Sequence, residues 1–305
     1  MLTVRRCSAV GAVMVGLVVI AGCAGDGDRA VTPAAGAVTP VAGAVTPVAG
    51  AVTPVAGAVA ADRPPSALHD QPGYRTDATV PAVITHGPTG AHRIALTFDS
   101  NMTDAMLKRL DTGQVASYAN TAVVDELQAR HVPATFFLAG KWVERYPELT
   151  RRIAADPAFE IASHSYAHRG FTAHCYRLAP EPTTDMAADV EHSFAVLAPF
   201  GGRQTRYFRF PGGCYDTAAL RAVAATHATV IQYDDVADDP FNDDTDAITG
   251  SVLRQAHDGA IVVLHITQDN APRTADALPA IIDGLRARGY QLVDLSDLLD
   301  ARPAR

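Results

Sequence analysis

Two histidines four residues apart, in His164-Ser-Tyr-Ala-His168, are the first residues that suggest chemistry. On one turn of helix that spacing puts both imidazoles on one face, where they could converge on a single divalent ion. Zinc or another borderline divalent ion suits imidazole ligands, and cobalt and manganese are the other candidate ions. Two surface or capping histidines would look the same. A carboxylate, Asp99, closes the run Ile94-Ala-Leu-Thr-Phe-Asp99. Apolar residues feeding a lone acid suggest a core strand that presents a catalytic group at its carboxyl end. An Asp capping the next turn is the other reading.

Further residues could serve such a pair. Beside an ion that acidifies water, a carboxylate such as Asp99 can act as general base. Arg209, in Arg206-Tyr-Phe-Arg-Phe-Pro-Gly-Gly213, could keep that carboxylate ionised and oriented. Gly212 and Gly213 would let the backbone approach a ligand and offer an N–H to an oxyanion, or they form a plain turn. His265 ends the apolar run Ala260–Leu264 and could protonate a leaving group, or be a core histidine satisfied by backbone. Asp239 could tune it, or belong to a solvated acidic turn. Cys175 and Cys214 follow the histidine and arginine segments, and would be near one another if both loops line one mouth. A disulfide and two unrelated thiols are both open. His174 could contact ligand.

The elements that must hold these residues alternate. Strands are expected at Ile94–Phe98, Ala134–Ala139, Phe159–Ala162, Tyr207–Phe210, Thr229–Tyr233, Ala260–His265 and Gln291–Leu295. Amphipathic helices are expected at Ala122–Arg130, Leu149–Ala155, Met186–Leu197 and Asp276–Arg288. Repeated strand–helix units imply a mainly parallel sheet with helices outside. About seven such strands suit a closed or nearly closed β/α barrel, whose functional residues gather at the strands' carboxyl ends. Asp99, His164, Arg209, the Asp234–Asp235 pair and His265 all fall at such ends.

The chain has 305 residues, enough for one domain of about 200–250 residues plus appendages. Its net charge of −8 argues against nucleic acid as a partner, because phosphate binding needs a basic face. Residues 1–22 read as a targeting segment: Arg5 and Arg6, a short apolar run, then Ile20-Ala21-Gly22-Cys23. This resembles a bacterial lipoprotein signal in which Cys23 is lipidated, which implies anchoring to the outer face of the cell membrane. Residues 23–80 then form a spacer that repeats AVTPAAG once and AVTPVAG three times between Ala30 and Gly57. Each unit carries a Pro and a Gly and no charge, so the spacer should be an extended tether without a core. The folded domain is expected over 81–305.

Together these segments resemble the polysaccharide deacetylase family, the NodB-homology group of carbohydrate esterases. The resemblance runs from about Arg93 to Leu299. Thr97-Phe-Asp99 is similar to the first family motif, His164–His168 to the metal motif, and Arg209-Phe-Pro-Gly-Gly213 to the motif of the positioning arginine. Asp239-Pro240 and Leu264-His265 are similar to the last two. The resemblance implies a distorted (β/α) barrel of the NodB-homology type. It also implies a divalent metal, often zinc, and hydrolysis of an N-acetyl or O-acetyl group on an acetylated glycan. Asp99 would be the base, His265 the acid and the Gly212 N–H part of the oxyanion site. Peptidoglycan is the natural target of a tethered lipoprotein, and a monomer is expected. Two departures stand out. Ser100 replaces an acidic metal ligand, leaving Ser100 or Asn101 to offer weaker oxygens. Gly212 stands where the family often has an aromatic wall. An inactive, carbohydrate-binding lipoprotein with the same fold is therefore the rival reading, and a deacetylase of small or secreted molecules a third. Residues Met102 to Asn120 look like extra length after the first strand.

Overall fold

The computed structural model describes residues 80–300. Residues 1–79 and 301–305 lie outside the described residues, so the leader, Cys23 and the repeat tether are not part of the fold below. Among the described residues, no helix is long and apolar enough to cross a membrane.

The chain builds a distorted (β/α) barrel. Its strands are β1 (Val83–Ile84), β2 (Arg93–Asp99), β3 (Ala134–Leu138), β4 (Phe159–Ser163), β5 (Arg203–Phe208), β6 (Thr229–Ile231), β7 (Asp235–Val236), β8 (Ile261–His265) and β9 (Gln291–Val293). All ladders between these strands are parallel, and nine strands stand where about seven were expected. The two shortest, β1 and β7, are too brief to leave a periodicity in the sequence. The expected strand at Thr229–Tyr233 stops at Ile231, because Gln232 to Asp234 form a crossing to β7.

That crossing closes the ring. The hydrogen-bonded order is β1-β6-β5-β4-β3-β2-β8-β7, with β9 also on β2. β6 and β7 therefore lie towards opposite ends of the sheet, yet only three residues of chain separate them. The seam is pinned by the Asp234 carboxylate, which accepts from Ile261 N at 3.1 Å, and by an antiparallel bridge between His86 and Ala260.

Strand β2 is the centre of this arrangement. Its second half pairs β3, its first half pairs β9, and its other edge pairs β8. Alternation along the strand decides what each residue meets. Ile94, Leu96 and Phe98 pack in the larger core under the helices, whereas Ala95 belongs to a separate cluster with Phe137, Ile231, Ile261 and Leu298 inside the ring. Thr97 and Asp99 share the inward face with Ala95, so period-two geometry carries Asp99 to the inner rim.

The helices are α1 (Asp104–Asp111), α2 (Thr121–Ala129), α3 (Gly140–Arg145), α4 (Pro147–Ala155), α5 (Met186–Leu197), α6 (Thr217–Ala224), α7 (Thr245–Gln255), α8 (Thr274–Ala287) and α9 (Leu295–Leu299). Four overlap the expected segments. The stretch read as extra length holds α1, started by Thr103, whose side chain accepts from Met106 N. Side-chain caps also start α6 at Asp216 and α7 at Asp244.

Candidate active site

The carboxyl ends of β2, β4, β5 and β8 bring five side chains together. Asp99 and His265 are register partners on adjacent strands. Arg209 follows β5, and its guanidinium is wholly buried. Nη1 donates to Asp99 Oδ1 at 2.7 Å and to Thr97 Oγ1 at 2.8 Å, while Nη2 donates to the Gln232 carbonyl at 3.2 Å. Thr97 in turn donates to the Val262 carbonyl at 2.6 Å. The guanidinium carbon lies 3.9 Å from the centre of the Phe137 ring. A cation this buried must be paired, and here the partner is Asp99. Burial raises the Asp99 carboxyl, but Arg209, with His164 and His265, outweighs it and holds the group below the usual carboxylate range. Asp99 is thus an ionised carboxylate in a dry place.

His164 and His168 lie on the loop after β4, not on a helical turn. The loop turns instead through left-handed backbone at Ser165 (φ 68°) and His168 (φ 51°). The ring centres are 5.1 Å apart. Asp189, from α5, holds the loop by accepting from Tyr166 N at 2.8 Å and Ala167 N at 3.0 Å. His164 Nδ1 lies 3.0 Å from the Arg209 carbonyl. A carbonyl only accepts, so the neutral ring carries its proton on Nδ1 and leaves the Nε2 lone pair free. Nε2 sits 3.7 Å from Asp99 Oδ2. Both ring nitrogens of His168 are buried without a hydrogen-bond partner. Burial lowers the pKa of His164 to about 4 and takes His168 well below its ordinary value. Both rings are therefore neutral near pH 7, as metal ligands must be.

The position expected to add an acidic ligand behaves differently. Ser100 Oγ accepts from Ala139 N at 2.9 Å. Asn101 leaves its buried Oδ1 without a partner, while its backbone N–H donates to Thr267 Oγ1 at 2.8 Å. Among the described residues no group of three His, Cys, Asp or Glu side chains could hold a metal. The residues present fit an ion held by two imidazoles, with other positions open to water or substrate. They do not fit a three-ligand set with a carboxylate at position 100.

His265 is the register partner of Asp99 on β8. Asp239, fully buried, accepts from its backbone N–H at 2.8 Å and bonds its Nδ1 at 2.9 Å. Thr274, at the start of α8, donates to the same carboxylate at 2.6 Å. Asp239 is therefore not a solvated turn residue. Burial works against charge on His265, yet the Asp239 carboxylate, by charge and hydrogen bond, raises its pKa above the ordinary value with help from Asp99.

Gly212 and Gly213 both take left-handed φ, 64° and 68°. The Gly213 N–H is spent on the Phe210 carbonyl at 2.9 Å, so of the two glycines Gly212 is the one left for an oxyanion. Cys175 and Cys214 form a disulfide that ties the histidine segment to the glycine turn. His174 is exposed, and its carbonyl accepts from Thr172 Oγ1 at 3.0 Å. Thr97, Asp189 and Thr274 were not singled out as site residues in the sequence. Only Thr97 had a visible signal, its inward register two positions before Asp99.

Residues 86–231 match the family model described as polysaccharide deacetylase. A chitooligosaccharide deacetylase of Bradyrhizobium sp. is 28% identical over 187 residues, covering 58% of this chain and 82% of that one. The structure of a peptidoglycan N-acetylglucosamine deacetylase aligns with a TM-score of 0.59 and 22% identity, over 73% of this chain and 95% of that one. A family 4 carbohydrate esterase pseudoenzyme from Bacillus anthracis aligns at 0.57 and 23% identity, over 72% of this chain and 69% of that one. At such identities the two structures speak for the fold alone. The chain spans 51% and 31% of the length of two further curated relatives. The segment that matches the polysaccharide deacetylase model holds the strands that carry Asp99, His164 and Arg209, and the folded domain is similar to that family in sequence there and in fold.

Proposed function

We propose that the protein is a metal-dependent deacetylase that hydrolyses N-acetyl groups on a glycan of the cell envelope, peptidoglycan being the first candidate. One observation carries this reading. A low-pKa carboxylate and a high-pKa imidazole sit side by side on β2 and β8, which are the protonation states a general base and a general acid need. His164 and His168 would hold the ion, zinc for preference with cobalt or manganese as substitutes, and it would polarise the acetyl carbonyl and acidify a water. Asp99 accepts the proton of the attacking water. Arg209 keeps Asp99 charged and fixes its orientation. The Gly212 N–H faces the developing oxyanion. His265, charged through Asp239, donates its proton to the amine nitrogen as the C–N bond breaks, so acetate and a free amine leave.

The location belongs to the same reading. A lipid on Cys23 and the repeat tether would hold the domain against the outer face of the membrane, within reach of wall glycan. Loss of membrane association in Cys23→Ala tests it.

A second reading has its own support. The Ser100 hydroxyl is occupied by Ala139 N, and a pseudoenzyme shares the fold, which favours a glycan-binding protein of little activity. Acetate release from N-acetylated glycans separates the two. The purified protein is stripped of metal and reloaded with zinc, cobalt or manganese, with Asp99→Asn as control. Release that depends on both metal and Asp99 supports the enzyme, and its absence on every glycan supports the binder.

A further inference from the structure

Among the described residues two large apolar side chains are notably exposed, Tyr176 at 48% and Phe241 at 62%. They are not scattered. Their rings stack at 5.7 Å with 28° between planes. Each belongs to a loop already committed to the site. Phe241 lies two residues beyond Asp239, the partner of His265. Tyr176 follows Cys175, whose disulfide reaches Cys214 beside the glycine turn.

The position of Tyr176 explains the missing side chain at 212. A Cβ built on Gly212 would lie 2.8 Å from Cys175 Sγ and 3.1 Å from Tyr176 Cδ2. The space that a residue at 212 would fill is taken by the disulfide and by the Tyr176 ring. Tyr176 also holds a φ of 51°, a conformation that bulky L residues rarely adopt. The fold tolerates backbone strain there to put an aromatic ring at the surface, and such strain collects at ligand-contacting positions.

We infer that Tyr176 and Phe241 form a stacking platform for a sugar ring of the glycan chain, beside the ring whose acetyl group reacts. This rests on the glycan-deacetylase reading above and assigns two specificity-determining residues to it. The occupant is a pyranose ring with an apolar C–H face, because the platform offers flat aromatic surface beside the Gly212 turn and the segment that carries Asp239. Gly212 gives up the aromatic, and the neighbouring loop delivers one in its place, cross-linked so that it stays there.

The test uses the full chain carrying Asp99→Asn, so that binding is read without turnover. Titration calorimetry with a linear N-acetylglucosamine oligomer is run on this parent and on versions that also carry Tyr176→Gly or Phe241→Ala. Each addition should weaken oligomer binding by about tenfold, the size expected for one lost aromatic stacking contact. Tyr176→Gly relieves the backbone strain, so its melting temperature should not fall. A ring with a merely structural role would lower stability and leave binding alone. Tyr176→Trp should retain affinity. In the Asp99-intact protein the same two changes should raise KM for the oligomer with kcat held. Unchanged oligomer affinity in both variants would overturn the platform while leaving acetate release, and the deacetylase reading, intact. A parent that keeps a cooperative melting transition yet binds no oligomer would overturn it too. The separate loss of acetate release in the wild-type protein is the outcome that removes the deacetylase reading.

Discussion

Asp99 and His265 are direct neighbours across the β2–β8 ladder, each at the last residue of its strand. Their partners pull their protonation in opposite directions. Asp239→Asn removes the charge that raises His265, so the imidazole pKa should fall. The alkaline limb of the kcat profile should move to lower pH, because the acid form is lost sooner. Asp99→Asn should cost about 10²–10⁴-fold in kcat, the usual worth of a general base. A pH–rate profile of Asp239→Asn that overlays the wild type would show that His265 is not the acid.

Arg209→Met leaves Asp99 as a buried, unpaired charge. The expected loss is about 3–5 kcal/mol in urea denaturation. Adding Asp99→Asn should return part of it, since no charge is then stranded. An additive double variant would mean that the pair is not the source of the cost.

Metal binding is read most directly by calorimetry on stripped protein. His164→Ala or His168→Ala should abolish zinc binding, since among the described residues no third side-chain ligand joins these two imidazoles. Ser100→Asp should tighten binding by at least about tenfold, because a carboxylate is a far better ligand than a hydroxyl. It also gives up the bond from Ala139 N, so a small fall in melting temperature should accompany the gain. Unchanged affinity would place position 100 away from the ion.

Asp235 predicts a pH effect unconnected with catalysis. Both its carboxylate oxygens are buried without a hydrogen-bond partner. Burial, reinforced by Asp234, raises its pKa from 3.8 to about 8. The folded state then keeps a proton that the unfolded chain has lost, so between those values stability falls as pH rises. The slope from this group approaches about 1.4 kcal/mol per pH unit. Asp235→Asn should flatten the curve and stabilise the protein at pH 7 and above. Parallel melting curves of the two proteins from pH 5 to 8 would refute this.

How much of this was legible beforehand follows from the physics of each feature. Strands β2 and β8 are mostly apolar runs ended by Asp99 and His265, so both the strand and the residue it presents could be read. The spacing of His164 and His168 suggested proximity, and the ring centres lie 5.1 Å apart, but not through a helix. The loop depends on left-handed backbone at Ser165 and His168 and on Asp189 more than twenty residues away. Neither leaves a local pattern. Helix α1 was hidden because a short amphipathic stretch between two loops resembles an insertion. Gly212 was read as a wall removed. That Tyr176 stands in its place could be seen only once the two loops were brought together in space.

The three-residue passage from β6 to β7 has a further consequence. Surface connections ordinarily absorb insertions and deletions at little cost. Residues 232–234 cannot, because Gln232 supplies the carbonyl that Arg209 grips and the strand they lead into delivers Asp239 to His265. One added residue would draw both contacts out of reach at once. Among homologous sequences this should be the interval whose length never drifts, a ruler between the base and the acid.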